Sequence, residues 1–278
     1  MSNPDRFARA VGGSEASIDL GEAGLLIALD AYPDLDVDAY LARLDALAAP
    51  LARLIDPAAP LPAWVEAVNG HLFGDEGFRG NEADYYDPRN SYLNEVLDRR
   101  LGIPITLCVV YLEVARRIGL DAVGVGLPGH FVLEARRGDQ TMLLDPFHGG
   151  IPLDVEDCAR LVEETHGSGV PFSEDLLVPV PTRAILARIL NNLKMIYLRS
   201  GDAERAWPVA EKMVHLQPDS PIDRRDRGLL AHRLNRFALA RDDLRFYLDH
   251  APGASDADVI RASLRAVEAI LAVLGPPG

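Results

Sequence analysis

Three side chains in this 278-residue sequence have the types that thiol acyl-transfer chemistry needs: Cys108, His130 and Asp145. In that chemistry a thiolate attacks beside an imidazole, and a carboxylate holds the imidazole in the tautomer that takes up the proton. His130 follows the turn Pro128-Gly129 and Asp145 closes the run TMLL, so both are expected at strand ends, within reach of each other on neighbouring strands. Asn94, Glu95 and Tyr111 form a weaker set that would bind a small ligand or peptide if His130 lined the same groove. His148, after Pro146-Phe147, would complete a His/Asp/His metal site. No Cys-x-x-Cys or His-Glu-x-x-His spacing supports one, so neither a metal nor any other cofactor is expected. Cys158, in DVEDCARLVEE, reads as a helix core residue.

These residues need elements to hold them. Apolar spacing predicts helices over residues 21–32, from the cap Asp36 until Pro50 ends or kinks the helix, over 61–73, and over 91–100. Between the last two lies a Gly-, Asp- and Asn-rich loop, GDEGFRGNEADYYDPRN. The next helix starts at Pro104, a favoured first-turn residue, carries Cys108 and Tyr111, and stops at Gly119. The period then shortens: residues 122–127, 130–135 and 141–144 read as strands of an antiparallel meander. One more helix over 154–166 and an irregular link over 167–180 complete an α+β pattern. The first 17 residues are polar and expected to fray.

The remainder reads as helix with an internal period. Ala206 and Ala240 are 34 residues apart, as are Pro218 and Pro252. In the same register Tyr197 faces Ala231, Gly201 faces Asn235, Ala210 faces Leu244 and Met213 faces Tyr247. A 34-residue period is that of the tetratricopeptide repeat, a pair of antiparallel helices. Small Ala at the shared position lets the helices approach, while Gly201 and Asn235 suit a turn of left-handed conformation. A last helix, about 256–274, would cap the array. Its short concave face suits a peptide or the chain's own N-terminal arm.

Composition excludes several classes. A net charge of −14 argues against a nucleic-acid backbone or an anionic membrane as partner. No run approaches the ~18 apolar residues of a membrane span, and the opening MSNPDRFARAVGGSEAS has no apolar core of a secretory signal. Two cysteines make no disulfide framework, so a cytoplasmic location is expected.

The blocks GIPITLCVVYLEVARRIGL, GVGLPGHFVLE and LLDPFHGG, in that order, resemble the transglutaminase-like superfamily, whose core reads Gly-x-Cys at a helix start, then a strand His, then a strand Asp. LDAYPDLDVDAYLARLDALA and NSYLNEVLDRRLGIPI are similar to its bacterial SirB branch, and the likeness spans about residues 18–180. It implies a papain-like α+β domain over 18–180, followed by the repeats over 181–278. The family His falls on His130 and the Asp on Asp145. Gly-x-Cys falls on Gly102-Ile103-Pro104, so proline stands where the family thiol would be. Cys108 lies one helical turn further in, about 6 Å along the axis, where the N–H groups that favour a thiolate are consumed by the helix. The expectation is a non-catalytic, bacterial, transglutaminase-like pseudoenzyme that binds a protein or peptide through its repeats and a His/Asp-lined groove. The alternative is a cysteine-dependent peptidase, amidase or acyl transferase using Cys108, His130 and Asp145.

Overall fold

A computed structural model describes residues 3–166 and 172–274. The chain divides into two compact units: residues 14–189, and residues 1–13 together with 190–278. Part of the link expected over 167–180, residues 167–171, lies outside the described residues.

Helix α1 (Asn3–Val11) belongs to the second unit. The first unit opens with α2 (Leu20–Ala28) and α3 (Val37–Leu54). Asp19 and Asp36 cap them, accepting from Glu22 N at 2.8 Å and Ala39 N at 3.1 Å. Pro50 does not end α3, which continues one more turn because the fully buried Leu51 anchors it. Helix α4 (Leu61–Asn69) passes into a π turn over Gly70–Asp75. Two-residue strands β1 (Arg79–Gly80) and β2 (Leu101–Gly102) pair in parallel across α5 (Leu93–Arg99).

Helix α6 (Pro104–Ile118) is the centre of this unit; every side chain from Pro104 to Ala115 is buried. It ends at Gly119, whose φ of 79° is the left-handed conformation that favours glycine. Strands β3 (Asp121–Leu127), β4 (His130–Arg137), β5 (Gln140–Asp145) and β6 (Ile151–Leu153) follow as an antiparallel sheet in sequence order. Helix α7 (Val155–His166) packs Cys158 and Val162 on Val125, Leu127 and Val132 of the sheet. The fold is thus the expected helical and antiparallel-sheet domain, with β1, β2 and β6 as additions.

Helix α8 (Thr182–Arg199) begins in the first unit and ends in the second. The second unit continues with α9 (Ala203–Leu216), α10 (Pro221–Arg233), α11 (Phe237–His250) and α12 (Ala257–Leu274). Gly201 (φ 74°) and Asn235 (φ 59°) make equivalent left-handed turns, and Ala206 and Ala240 are both fully buried. Arg227 braces α10 against α11 by donating two hydrogen bonds to the buried Asp243, at 2.7 and 2.8 Å. Residues 3–11, within the segment expected to fray, form α1 instead. Phe7 and Val11, one turn apart, are fully buried as α1 packs on α9, with the Lys212 ammonium 5.9 Å from the Phe7 ring. Among the described residues, no helix is long and apolar enough to cross a membrane.

Candidate functional site

The site is assembled at the start of α6. Pro104 fills the first turn, where a missing N–H costs nothing. The Thr106 hydroxyl accepts from Ile103 N at 3.1 Å and donates to the Asn90 carbonyl at 2.7 Å. A Cβ on Gly102 would lie 2.9 Å from Thr106 Oγ1, so a larger residue would push the helix start away. The preceding segment, expected as a loop, is ordered by its own amides. Asn81 Nδ2 donates to Asn90 Oδ1 at 2.9 Å, and Asn90 Nδ2 donates to the Asp84 carbonyl at 2.7 Å. This segment lays Gly80 against the Phe147 ring, where a Cβ would come within 2.6 Å, and sets Tyr85 edge-on to the same ring.

Strand β4 supplies His130 and β5 supplies Asp145, one step past the Leu133–Leu144 pair. His130 Nε2 donates to Asp145 Oδ2 at 2.9 Å. The chain then makes a 3₁₀ turn over Pro146–His148, which returns His148 so that its Nδ1 donates to the same oxygen at 2.7 Å. Oδ1 accepts from Phe147 N at 2.9 Å. Asp145 therefore accepts three hydrogen bonds while fully buried. Burial works to raise its pKa. The hydrogen bond and charge of His130, then those of His148, outweigh burial and hold the carboxyl below its ordinary range. The imidazoles stack at 5.9 Å with an interplanar angle of 18°, and Phe147 stands edge-on to both. His130 is buried, whereas 41% of the His148 side chain is exposed. Arg188, in the first turns of α8, donates to the carbonyls of His130 at 2.6 Å and Leu127 at 2.9 Å.

Cys108 lies on α6 against the start of β4. It is fully buried, and its thiol donates to the Phe131 carbonyl at 3.5 Å. Burial, then the negative charge of Asp145, push the thiol pKa well above its ordinary value. The thiolate, not the thiol, is the nucleophilic form of cysteine. The weaker set does not line an open groove either. Asn94 on α5 and Tyr111 on α6 are both buried, and Asn94 Oδ1 and Tyr111 OH have no hydrogen-bond partner among the described residues. Tyr111 stacks on Phe73 at 6.3 Å, and Glu95 is half-buried.

A family model described as "Transglutaminase-like superfamily" matches residues 38–191. The chain belongs to the transglutaminase-like superfamily. A tetratricopeptide-repeat model matches residues 193–265. A "UPF0162 protein" of Xylella fastidiosa (strain 9a5c) is 40% identical over 253 residues, 90% of either chain. A "UPF0162 protein" of Vibrio cholerae is 29% identical over 206 residues, 74% of this chain and 76% of the relative. The "UPF0162 protein YchA" of Escherichia coli (strain K12) is 27% identical over 246 residues, 87% of this chain and 90% of the relative. No solved structure matches.

In this transglutaminase-like domain, sequence reasoning had no means of finding Arg188 or Tyr85. Arg188 bonds a carbonyl 58 residues away, and Tyr85 reaches Phe147 only because the asparagine amides fold its loop. For His148 a signal existed in the Asp-Pro-Phe-His run, since a 3₁₀ turn returns the fourth residue onto the first.

Proposed function

We propose that this transglutaminase-like protein works without thiol catalysis, as a protein-binding module of the bacterial cytoplasm. Its repeats take a protein or peptide partner, and the His130–Asp145 pair serves the first unit as a polar anchor. The observation that carries this reading is the state of Cys108. The thiol is closed to solvent and bonded to a backbone carbonyl, and the first turn of α6, where helix N–H groups would favour a thiolate, holds Pro104 instead. Tetratricopeptide repeats are compatible with a protein-binding module. The charge of −14 speaks against nucleic acid, and two free, buried cysteines fit a reducing compartment.

The test is turnover. The full chain, incubated with an amine donor plus glutamine peptides and separately with thiol-protease substrates, should give no product above the blank. Turnover abolished by both Cys108→Ala and His130→Ala would overturn the reading.

A further inference from the structure

We propose that His130, Asp145 and His148 form a binding site for one first-row divalent transition-metal ion. Each of the three side chains offers one ligand atom, the three lying within 4.8 Å of one another, and His130 Nε2 and His148 Nδ1 both contact Asp145 Oδ2. Two imidazoles and a carboxylate are a nitrogen–oxygen donor set of borderline softness. It suits Zn²⁺, Co²⁺ or Fe²⁺ better than the hard, oxygen-seeking Ca²⁺ or Mg²⁺.

The spacing asks for little movement. Ligand atoms about 2.0–2.1 Å from a tetrahedral ion stand roughly 3.3 Å apart. The His130–Asp145 contact at 2.9 Å and the His148–Asp145 contact at 2.7 Å would widen by about half an ångström toward that spacing, and the two imidazole nitrogens, within 4.8 Å, would close toward it. His148, on a short turn with its side chain partly exposed, has room to give that distance.

The surroundings hold the ligands and leave a way in. Phe147 N fixes Asp145 Oδ1, which leaves Oδ2 turned to the two rings. Phe147 wedges edge-on against both imidazoles, and Gly80 leaves space for its ring. A cavity of about 570 Å³, lined by Arg79, Gly80, Asn81, Glu82 and His148 among others, opens on the exposed side of His148. The remaining coordination positions would be open to water or to a ligand from that cavity, as in three-ligand metal centres. Ligation requires each ring to present a lone pair at the nitrogen nearest Asp145, so the proton that bonds Asp145 leaves that nitrogen when the ion binds. The Arg188 guanidinium is spent on the carbonyls of His130 and Leu127.

The proposal shares His130 and Asp145 with the reading above but does not depend on Cys108 being inert. A binding assay answers it whether or not turnover is found. The full, tag-free chain is stripped by dialysis against a chelator and titrated with Zn²⁺ in competition with a chromophoric chelator at pH 7.5. One ion per chain is expected, and His148→Ala should weaken affinity by about 100-fold or more. Cys108→Ala and Cys158→Ser should bind like the parent. His148 is partly exposed, so its variant should fold, which circular dichroism checks. His148→Gln and Asp145→Asn provide second variants. Co²⁺ should give visible d–d bands without a thiolate charge-transfer band, and nitrogen-15 spectra should show His130 Nε2 and His148 Nδ1 shifting with Zn²⁺. Absence of stoichiometric binding, or binding unchanged in His148→Ala and His148→Gln, would overturn the proposal.

Discussion

Replacing Asp145 with alanine should be among the most damaging changes in the first unit. The carboxylate is fully buried and accepts from His130 Nε2, His148 Nδ1 and Phe147 N at 2.9, 2.7 and 2.9 Å. Asp145→Ala leaves the His130 and Phe147 donors buried without partners, while water reaches the half-exposed His148. An unsatisfied buried donor costs about 1–3 kcal/mol, and two are stranded here. Asp145→Ala should therefore destabilise by about 3–5 kcal/mol, and His148→Ala by less than about 1 kcal/mol. Urea unfolding followed by tryptophan fluorescence measures this. The chain has two tryptophans, and in a Trp207→Phe background Trp64 alone reports the first unit. The pKa of Asp145 is held down in the fold, so its ionised form stabilises above the unfolded carboxyl pKa of about 4. That contribution is lost as pH falls through the lower folded value. The gap between parent and Asp145→Ala should close below about pH 4. A loss under about 1 kcal/mol for Asp145→Ala, or a gap that widens in acid, would refute this reasoning.

Phe7→Ala should cost the second unit about 3–5 kcal/mol, because Phe7 is fully buried where α1 packs on α9. Trp207 fluorescence in a Trp64→Phe background measures it, and a neutral result would mean that α1 is not part of that unit. Asp243→Ala should destabilise the repeats by about 3–5 kcal/mol, since it strands the Arg227 guanidinium between α10 and α11. The same probe reads the loss. Gly80→Ala should cost about 1–3 kcal/mol by urea unfolding of the first unit, because a Cβ would sit 2.6 Å from the Phe147 ring.

The parts of this fold that were legible in sequence rest on local rules. Pro104 and Gly119 bracket α6 because a first turn tolerates proline and a left-handed end favours glycine. Gly201 and Asn235 mark equivalent turns for the same steric reason. His130 and Asp145 were placed by the turns flanking their strands. Helix α1 was hidden because its few apolar side chains sit in a polar stretch before Gly12-Gly13, although Phe7 and Val11 do stand one turn apart. Strands β1 and β2 are two residues long, too short to show any period. The sharing of one Asp145 oxygen by two imidazoles depends on how the 3₁₀ turn after β5 folds back, and spacing rules for metal sites do not describe it.

The reactivity of Cys108 tests the central claim most directly. In a Cys158→Ser background, iodoacetamide labelling at pH 7 followed by mass spectrometry reads this one thiol. An ordinary exposed thiol with a pKa near 8.5 is about 3% thiolate at that pH. Cys108 has a raised pKa and no exposed surface. Labelling therefore has to wait for the fold to open, which at a typical stability of at least about 5 kcal/mol slows it by roughly 10³-fold or more. The account predicts no labelling of the folded chain over hours and rapid labelling in denaturant. Labelling of the folded chain faster than a free thiol, slowed by His130→Ala, would contradict it and identify Cys108 as a working nucleophile.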